Sequence, residues 1–377
     1  MSEDIFHRLG MEVPIFAFSH CRDVVVEVTK AGGCGVLGAV SHSPEQLERE
    51  LCWIDDHIGD RCYGVDVLIP GKYDKEADRG DTSIDDLIPQ QHKRFVAEML
   101  DQAGIPQLPP DEASRVQEYL LQKSRNSTPA GALKLLDVAL RHPKVKLIVS
   151  ALGAPPAESV RDFHERGILV GALCGKVEHV VNHRDAGVDL LIAQGSEAGG
   201  HTGTISTMVL LPQIVDAFGD SGIVLAAGGI SRGSQIAAAM AMGAKGVWCG
   251  TIWLGTRESE LSPYEKATVF KARAEDAVQR RCMTGKPVRM LKSKFSEAWE
   301  QPGAPKTLMP PLQNLLYYEA RARIDRAERA DYYSFPAGQV VGTLTEETSV
   351  RRVMHELLQE YADTMERLAN MVSENRI

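Results

Sequence analysis

Eleven residues, AQGSEAGGHTG (193–203), set one glutamate and one histidine among four glycines at the end of an apolar run. An imidazole with an unperturbed pKa near 6.5 exchanges protons at neutral pH without a large shift, so His201 is a candidate base. Gly199 and Gly200 carry no Cβ and let the backbone approach a ligand closely. Glu197 stands four residues before the histidine. It is expected to orient the imidazole, with the alternative that its carboxylate satisfies amides of the turn. A lone histidine in a loop is ordinarily a solvated residue, and the chain has eleven. The glycines, the carboxylate and the strand end set His201 apart from the others.

Two more glycine-rich stretches follow apolar runs: AAGGISRG (226–233) and CGT (249–251). Backbone N–H groups that point at a phosphate need glycine, because a Cβ would block the approach. Gly228, Gly229, Gly250 and Thr251 therefore read as a phosphate cradle. Each turn alone is also an ordinary turn; their occurrence in register at the last strands is the signal. No GxGxxG immediately follows the first apolar run and no GxxxxGK[ST] occurs, which argues against a Rossmann-type site and a P-loop. The phosphate then belongs to a flavin mononucleotide or to a phosphorylated substrate.

The elements that must hold these residues recur along the chain. Apolar runs at 13–19, 34–40, 63–70, 145–153, 168–173, 190–195, 223–229 and 246–254 have the continuity of parallel strands buried on both faces. The spacers read as helices. Residues 155–166 end at Gly167, residues 176–187 place Val177, Val180 and Val181 on one face, and residues 231–243 follow a serine cap. Eight such pairs predict a (β/α)8 TIM barrel, with active-site residues at the C-terminal ends of the strands. A doubly wound open sheet is the alternative. Two segments exceed the repeat. Residues 71–144 form a long insertion after strand three, with a surface loop at KYDKEADRGD and helices near 91–103 and 111–122. Residues 257–377 form a C-terminal extension ending in a long amphipathic helix pattern at 348–375. Both are candidate lids and equally candidate packing additions, and the helix pattern is compatible with a homo-oligomer contact. The whole chain is expected to be one barrel domain.

Composition narrows the partners. The 377 residues carry 42 basic and 51 acidic side chains, a net charge of −9, which opposes sequence-independent nucleic-acid binding. The N-terminus MSEDIFHRLG is polar and acidic, unlike a targeting segment, and no apolar run approaches the roughly 18 residues of a membrane span. Seven scattered cysteines without a CxxC pair support neither a disulfide framework nor a metal site. The expectation is a reduced, cytoplasmic protein.

These motifs resemble the nitronate monooxygenase (formerly 2-nitropropane dioxygenase) family of FMN-dependent TIM-barrel enzymes. AQGSEAGGHTG is close to the family's QGxEAGGHxG, and AGGCGVLG, AAGGI, GVWCGT, MTGKPVR and PAGQ are similar to further family segments. The resemblance spans residues 13 to about 345. It implies that His201 is the catalytic histidine, removing the α-proton of a nitroalkane or holding the nitronate by a hydrogen bond, with Glu197 beside it. Gln194, Gly199 and Gly200 would meet the flavin. Gly229 and the stretch Trp248, Cys249, Gly250 and Thr251 would line its phosphate. Ala17, Phe18 and Ser19 would run past the isoalloxazine edge. FMN would pass electrons from the nitronate to O2, leaving a carbonyl compound and nitrite.

Two departures from the family pattern bear on the substrate. Asp66 stands where members carry an asparagine against the flavin; a carboxylate there accepts a hydrogen bond but disfavours a reduced anionic ring. The turn AFSHCRD replaces a small methionine-containing turn, placing His20, Cys21 and Arg22 near the flavin. Two other activities share parts of the pattern. FMN-dependent enoyl-acyl-carrier-protein and NAD(P)H:quinone reductases carry the EAGGH-type motif. A non-redox barrel acting on a phosphorylated metabolite could use the same cradle, with His201 as its base.

Overall fold

The computed structural model describes residues 2–67, 84–126 and 128–373. The expected surface loop KYDKEADRGD and the end of the third apolar run lie outside the described residues. The barrel strands are β1 (Ile15–Ser19), β2 (Cys34–Gly38), β3 (Tyr63–Val67), β4 (Val145–Ser150), β5 (Leu169–Cys174) and β6 (Leu190–Gln194). After the two-residue strand β7 (Gly200–His201), which leaves the barrel, come β8 (Ile223–Ala227) and β9 (Gly246–Cys249). All the barrel pairs are parallel, and β9 pairs with β1 through Phe16↔Trp248 and Ala17↔Cys249. That closure makes the sheet a (β/α)8 barrel and rules out the open-sheet alternative.

The near-continuous apolar runs follow from burial of both faces. Phe16, Val36, Val149, Ile192, Leu225 and Trp248 fill the interior, and Ile5 on the N-terminal helix Ser2–Arg8 and Leu9 just after it close its floor. Alternate residues such as Ile15, Ala17, Leu37, Val65, Leu191 and Val247 pack outward against the helices. The eighth run ends earlier than its hydrophobicity suggested. Gly250 breaks the strand, and a 3₁₀ helix at Thr251–Gly255 buries Ile252 and Trp253, with Trp253 Nε1 donating to Cys249 O at 2.8 Å.

The spacers differ from expectation in two places. The 155–166 pattern forms Ala157–Glu165, and Gly167 takes a left-handed φ of +71°. In 176–187 a 3₁₀ turn, Val177–His179, precedes the helix Val180–Ala186. Val180 is buried but Val181 is 49% exposed, because adjacent helical residues point about 100° apart. In 231–243 the helix is Gly233–Ala241, and Ser231 does not cap it. Its first turn instead meets a carboxylate from the last helix of the chain, Val350–Ser373: Gly233 N–H donates to Glu360 Oε2 at 3.1 Å and the Ser234 hydroxyl to Glu360 Oε1 at 2.9 Å. That last helix packs Val350, Met354 and Leu357 onto its own barrel.

The segment after β3 contains the helices Gln90–Gln102, Pro110–Arg125 and Pro129–Ala139. The third packs Leu135, Leu136 and Ala139 into the outer barrel layer. Val96, Leu100, Ile105 and Leu120, from the earlier part, share a second apolar cluster with Phe295, Trp299, Leu316 and Tyr317 of the C-terminal segment. Arg323 ties the two, donating to Ile105 O and to Asp101 Oδ1, each at 2.7 Å. The strands β10 (Ala277–Arg280) and β11 (Val288–Leu291) of this body pair antiparallel, and β11 pairs with β7 through Val288↔His201. Among the described residues no helix is long and apolar enough to cross a membrane.

Candidate active site

The loop after β6 is built by packing before it offers any chemistry. A Cβ at Gly195 would stand 2.0 Å from Thr207 Oγ1, and one at Gly199 would stand 2.8 Å from Gly338 N. Gly199 is therefore fixed by the 337–338 backbone. Gly200 differs: its φ is +81° and nothing lies within 4 Å of a Cβ there. The left-handed turn aims the next residue, His201, out of the barrel line and into β7.

Glu197 does not orient His201. Its carboxylate accepts from the Thr207 N–H at 3.0 and 3.1 Å and from the Thr207 hydroxyl at 3.0 Å, capping the helix Thr207–Phe218. The N-cap residue Ser206 makes no side-chain cap of its own, so Glu197 supplies the acceptor that the first turn needs. The group that holds the imidazole is Thr284, whose Oγ1 lies 2.9 Å from His201 Nε2. Thr284 Oγ1 also accepts the Lys286 N–H at 3.3 Å and lies 3.4 Å from Lys286 O. Its single hydroxyl proton goes to one of these two acceptors, and that choice sets the imidazole tautomer. Burial first, then the positive charge of Lys286, lowers the His201 pKa to about 4. At neutral pH the ring is uncharged.

The interior face of the rim is aromatic and acidic. Phe18 and Trp248 stack at 6.1 Å and 25°, over a second stacked contact of Trp248 with Phe16. Asp66 alternates with the outward-packed Val65 and Val67 and is buried; burial holds its carboxyl well above the usual range. Burial disfavours its ionised form and favours the protonated carboxyl, which can donate a hydrogen bond. Gln194 ends β6 opposite Ala227, half-buried. Ala17 and Cys249 belong to the outward-packed layer, so only their backbones reach the rim.

The AFSHCRD turn divides in the same way. His20 Nδ1 lies 2.9 Å from Gly38 O, and its ring meets Phe18 edge-on at 5.1 Å. Cys21 donates to Glu258 O at 2.8 Å and burial pushes its thiol up to about 12, so it is not a nucleophile. Arg22 lies over the Trp53 ring and pairs with Glu50 at 3.3 Å, turned toward the outer helices. Of the three, His20 remains at the rim, next to Ser19 and Phe18.

The cradle residues meet at the ends of β8 and β9. Gly228 and Gly229 take φ of +96° and +74°, which turn the chain sharply after β8. Gly250 has an ordinary φ of −124°, and a Cβ there would touch the Phe18 ring only at 3.8 Å. Neither strain nor packing demands glycine at Gly250, so the room it leaves beside Phe18 suits a ligand. Thr251 Oγ1 accepts the Gly338 N–H at 2.8 Å, which leaves its hydroxyl proton to donate. Glycine amides, a hydroxyl and an aromatic floor fit a phosphorylated planar cofactor. Motif reading near His201 overlooked Thr284, although it lies in the MTGKPVR segment, and Thr207 and Glu360, which carry no local signal.

Residues 18–360 match the family model described as nitronate monooxygenase. A provisionally named monooxygenase of Mycobacterium tuberculosis is 46% identical over 99% of this chain and 100% of its own length. A provisionally named nitronate monooxygenase of Bacillus subtilis is 32% identical over 60% of this chain and 66% of its own. The crystal structure of nitroalkane oxidase from Streptomyces ansochromogenes is 25% identical, covers 96% of this chain and 99% of its own, and superposes with a TM-score of 0.78. FabK from Thermotoga maritima, 22% identical over 97% of this chain and 98% of its own, shares the fold with a TM-score of 0.69. With its barrel, its strand-end glycines and the histidine strand β7 in place, the chain belongs to the nitronate monooxygenase family of oxidoreductases.

Proposed function

We propose that the protein binds FMN across the C-terminal ends of the barrel strands and oxidises alkyl nitronates or nitroalkanes with O2. The products are a carbonyl compound and nitrite, and the whole chain serves one flavin-binding barrel. When bound, FMN supplies the redox chemistry, taking electrons from the substrate and delivering them to O2. The protein's residues bind, orient and protonate. Amides around Gly229, Gly250 and Thr251, with the Thr251 hydroxyl, hold the phosphate. Phe18 and Trp248 form an apolar floor that excludes water, and Asp66 offers one hydrogen bond as a neutral acid.

The observation that carries this reading is the uncharged imidazole of His201, fixed by Thr284 beside the open space at Gly200. An imidazole whose conjugate acid has a pKa of about 4 is a weak base toward a carbon acid. His201 is therefore better suited to hold the nitronate by a hydrogen bond than to strip the α-proton from a nitroalkane. Nitronates should be used more efficiently than their neutral parent nitroalkanes.

An anaerobic titration tests the assignment. Purified protein loaded with FMN is mixed with a nitronate, with NADH or with NADPH while flavin absorbance is followed. Bleaching by the nitronate alone supports the proposal. Prompt bleaching by a nicotinamide, without bleaching by the nitronate, replaces it with a reductase function.

A further inference from the structure

On the opposite end of the barrel from the candidate active site, one buried histidine has a ring nitrogen without a hydrogen-bond partner. His142 precedes β4, and its side chain is only 7% exposed. Nδ1 lies 2.6 Å from Asp55 Oδ2. Nε2 is buried and makes no hydrogen bond among the described residues. It faces Glu48 Oε1 at 3.6 Å, and Cys52 Sγ lies 3.9 Å from that same oxygen. The three ligand atoms lie within 4.8 Å of one another. Glu48 and Cys52 are four residues apart in the helix Pro44–His57, so they share one face.

We propose that Glu48, Cys52 and His142 bind a divalent metal ion of borderline softness, with Zn2+ as the best match. One thiolate, one imidazole and one carboxylate oxygen make a three-ligand set that suits Zn2+ and leaves a fourth position open to water. Bonds of about 2.0–2.3 Å put tetrahedral ligand atoms roughly 3.3–3.8 Å apart, so the two pairs that include Glu48 are already near that spacing. Only the approach of Cys52 to His142 has to tighten, and Cys52 is on an exposed face free to turn.

The surroundings match what such a site requires. Asp55 holds Nδ1, which fixes the ring and leaves Nε2 as the ligand atom, the usual carboxylate–histidine arrangement behind a metal. Asp55 is in turn held by the Tyr63 hydroxyl at 3.1 Å. Arg141 Nη2 donates to Glu48 Oε2 at 2.5 Å, which occupies one carboxylate oxygen and leaves Oε1 turned to the cluster. Metal binding displaces the Cys52 thiol proton to solvent: the sulfur–hydrogen bond breaks and a sulfur–metal bond forms, with no change of oxidation state. The ligands come from residues 48, 52 and 142, so no compact cysteine motif announces them. Tying the helix after β2 to the start of β4 would stabilise the floor of the barrel and leave the flavin end untouched.

Isothermal titration of the metal-stripped full chain with ZnCl2, in two buffers of different ionisation enthalpy, tests this. One Zn2+ per chain with release of a proton, and a higher Tm with Zn2+ present, are expected. With Co2+ in place of Zn2+, a thiolate-to-cobalt charge-transfer absorption should appear. Cys52→Ser, an exposed change that leaves the fold intact, should abolish that absorption and weaken Zn2+ binding at least tenfold. Asp55→Asn should weaken it about 10–100-fold. The proposal is overturned if the chain takes up no stoichiometric Zn2+, if the Co2+ form lacks a sulfur band, or if Cys52→Ser keeps both. None of these readouts depends on flavin or turnover, so a failed functional assignment leaves this result standing.

Discussion

The Thr284 hydroxyl lies 2.9 Å from His201 Nε2, although 83 residues separate the two in sequence. The short β7–β11 pairing creates this contact, since it lays His201 against Val288, just beyond the TGKP turn that carries Thr284. Thr284→Val removes the hydroxyl but keeps the branched shape. A side-chain hydrogen bond of about 1–1.5 kcal/mol lost at the transition state corresponds to roughly a tenfold fall in kcat/KM. Flavin content should not change. Turnover equal to the parent protein would show that the contact does not position the catalytic ring.

The low pKa of His201 fixes the shape of the pH profile. An ordinary histidine would give an acid limb near pH 6.5. Burial and Lys286 instead bring the folded value to about 4, so any proton abstraction from a nitroalkane by the uncharged ring should hold down to about pH 5 and then fall. Lys286→Gln removes the nearby positive charge and should move that limb to higher pH. Stability follows the same sign. A histidine whose folded pKa is depressed contributes stability that is present above about pH 6.5 and lost as pH falls toward 4. His183 is lowered to about 4 by burial and by His179. Tm should therefore decline between pH 6.5 and 4, and His201→Asn should reduce that decline.

Asp66 titrates in the opposite sense. Its folded pKa is raised, so the stability it contributes is complete below the unfolded value near 3.9 and is lost as pH rises toward the folded value. Asp66→Asn keeps the size and a hydrogen-bond donor but cannot ionise. The variant should be at least as stable as the parent at pH 7 and should lose less stability in alkali. A lower Tm for Asp66→Asn across the whole range would mean that the carboxyl is ionised and paired in the folded protein.

The barrel was legible because parallel strands buried on both faces leave uninterrupted apolar runs, and, where the structure describes their ends, all but the last run end within three residues of a strand. The 246–254 run misled because hydrophobicity reports burial, and Ile252 and Trp253 are buried in a 3₁₀ turn rather than a strand. Among the glycines the motifs single out, Gly228 and Gly229 do take left-handed turns, whereas Gly199 is explained by close approach of the 337–338 backbone. Of the two readings of Glu197, the structure shows the carboxylate satisfying an amide rather than orienting the imidazole. Proximity in sequence suggested the imidazole four residues on, whereas the loop folds its carboxylate back to the Thr207 amide ten residues on. Partners such as Thr284, Thr207 and Glu360 come from distant segments and leave no periodicity or motif beside the residue they serve.

The C-terminal helix Val350–Ser373 is joined to the barrel at a point where no side chain fits. A Cβ on Gly233 would stand 2.2 Å from both Leu357 O and Tyr361 N. The same approach brings Glu360 to the first turn of the helix Gly233–Ala241, where it accepts from Gly233 N–H, Ser234 Oγ and Arg232 Nε. A carboxylate at a helix N-terminus is stabilised by the unpaired amides there, and losing such a cap costs about 0.5–2 kcal/mol. Gly233→Ala should do more, because the clash is with backbone and the last helix must shift as a unit. It should lower Tm more than Glu360→Gln does and expose the linker at 344–349 to limited proteolysis. The helix Gly233–Ala241 starts just after the Gly228–Gly229 turn, so the same shift should weaken flavin retention while Glu360→Gln leaves it nearly unchanged. Equal flavin retention in both variants would separate the cradle from the C-terminal helix.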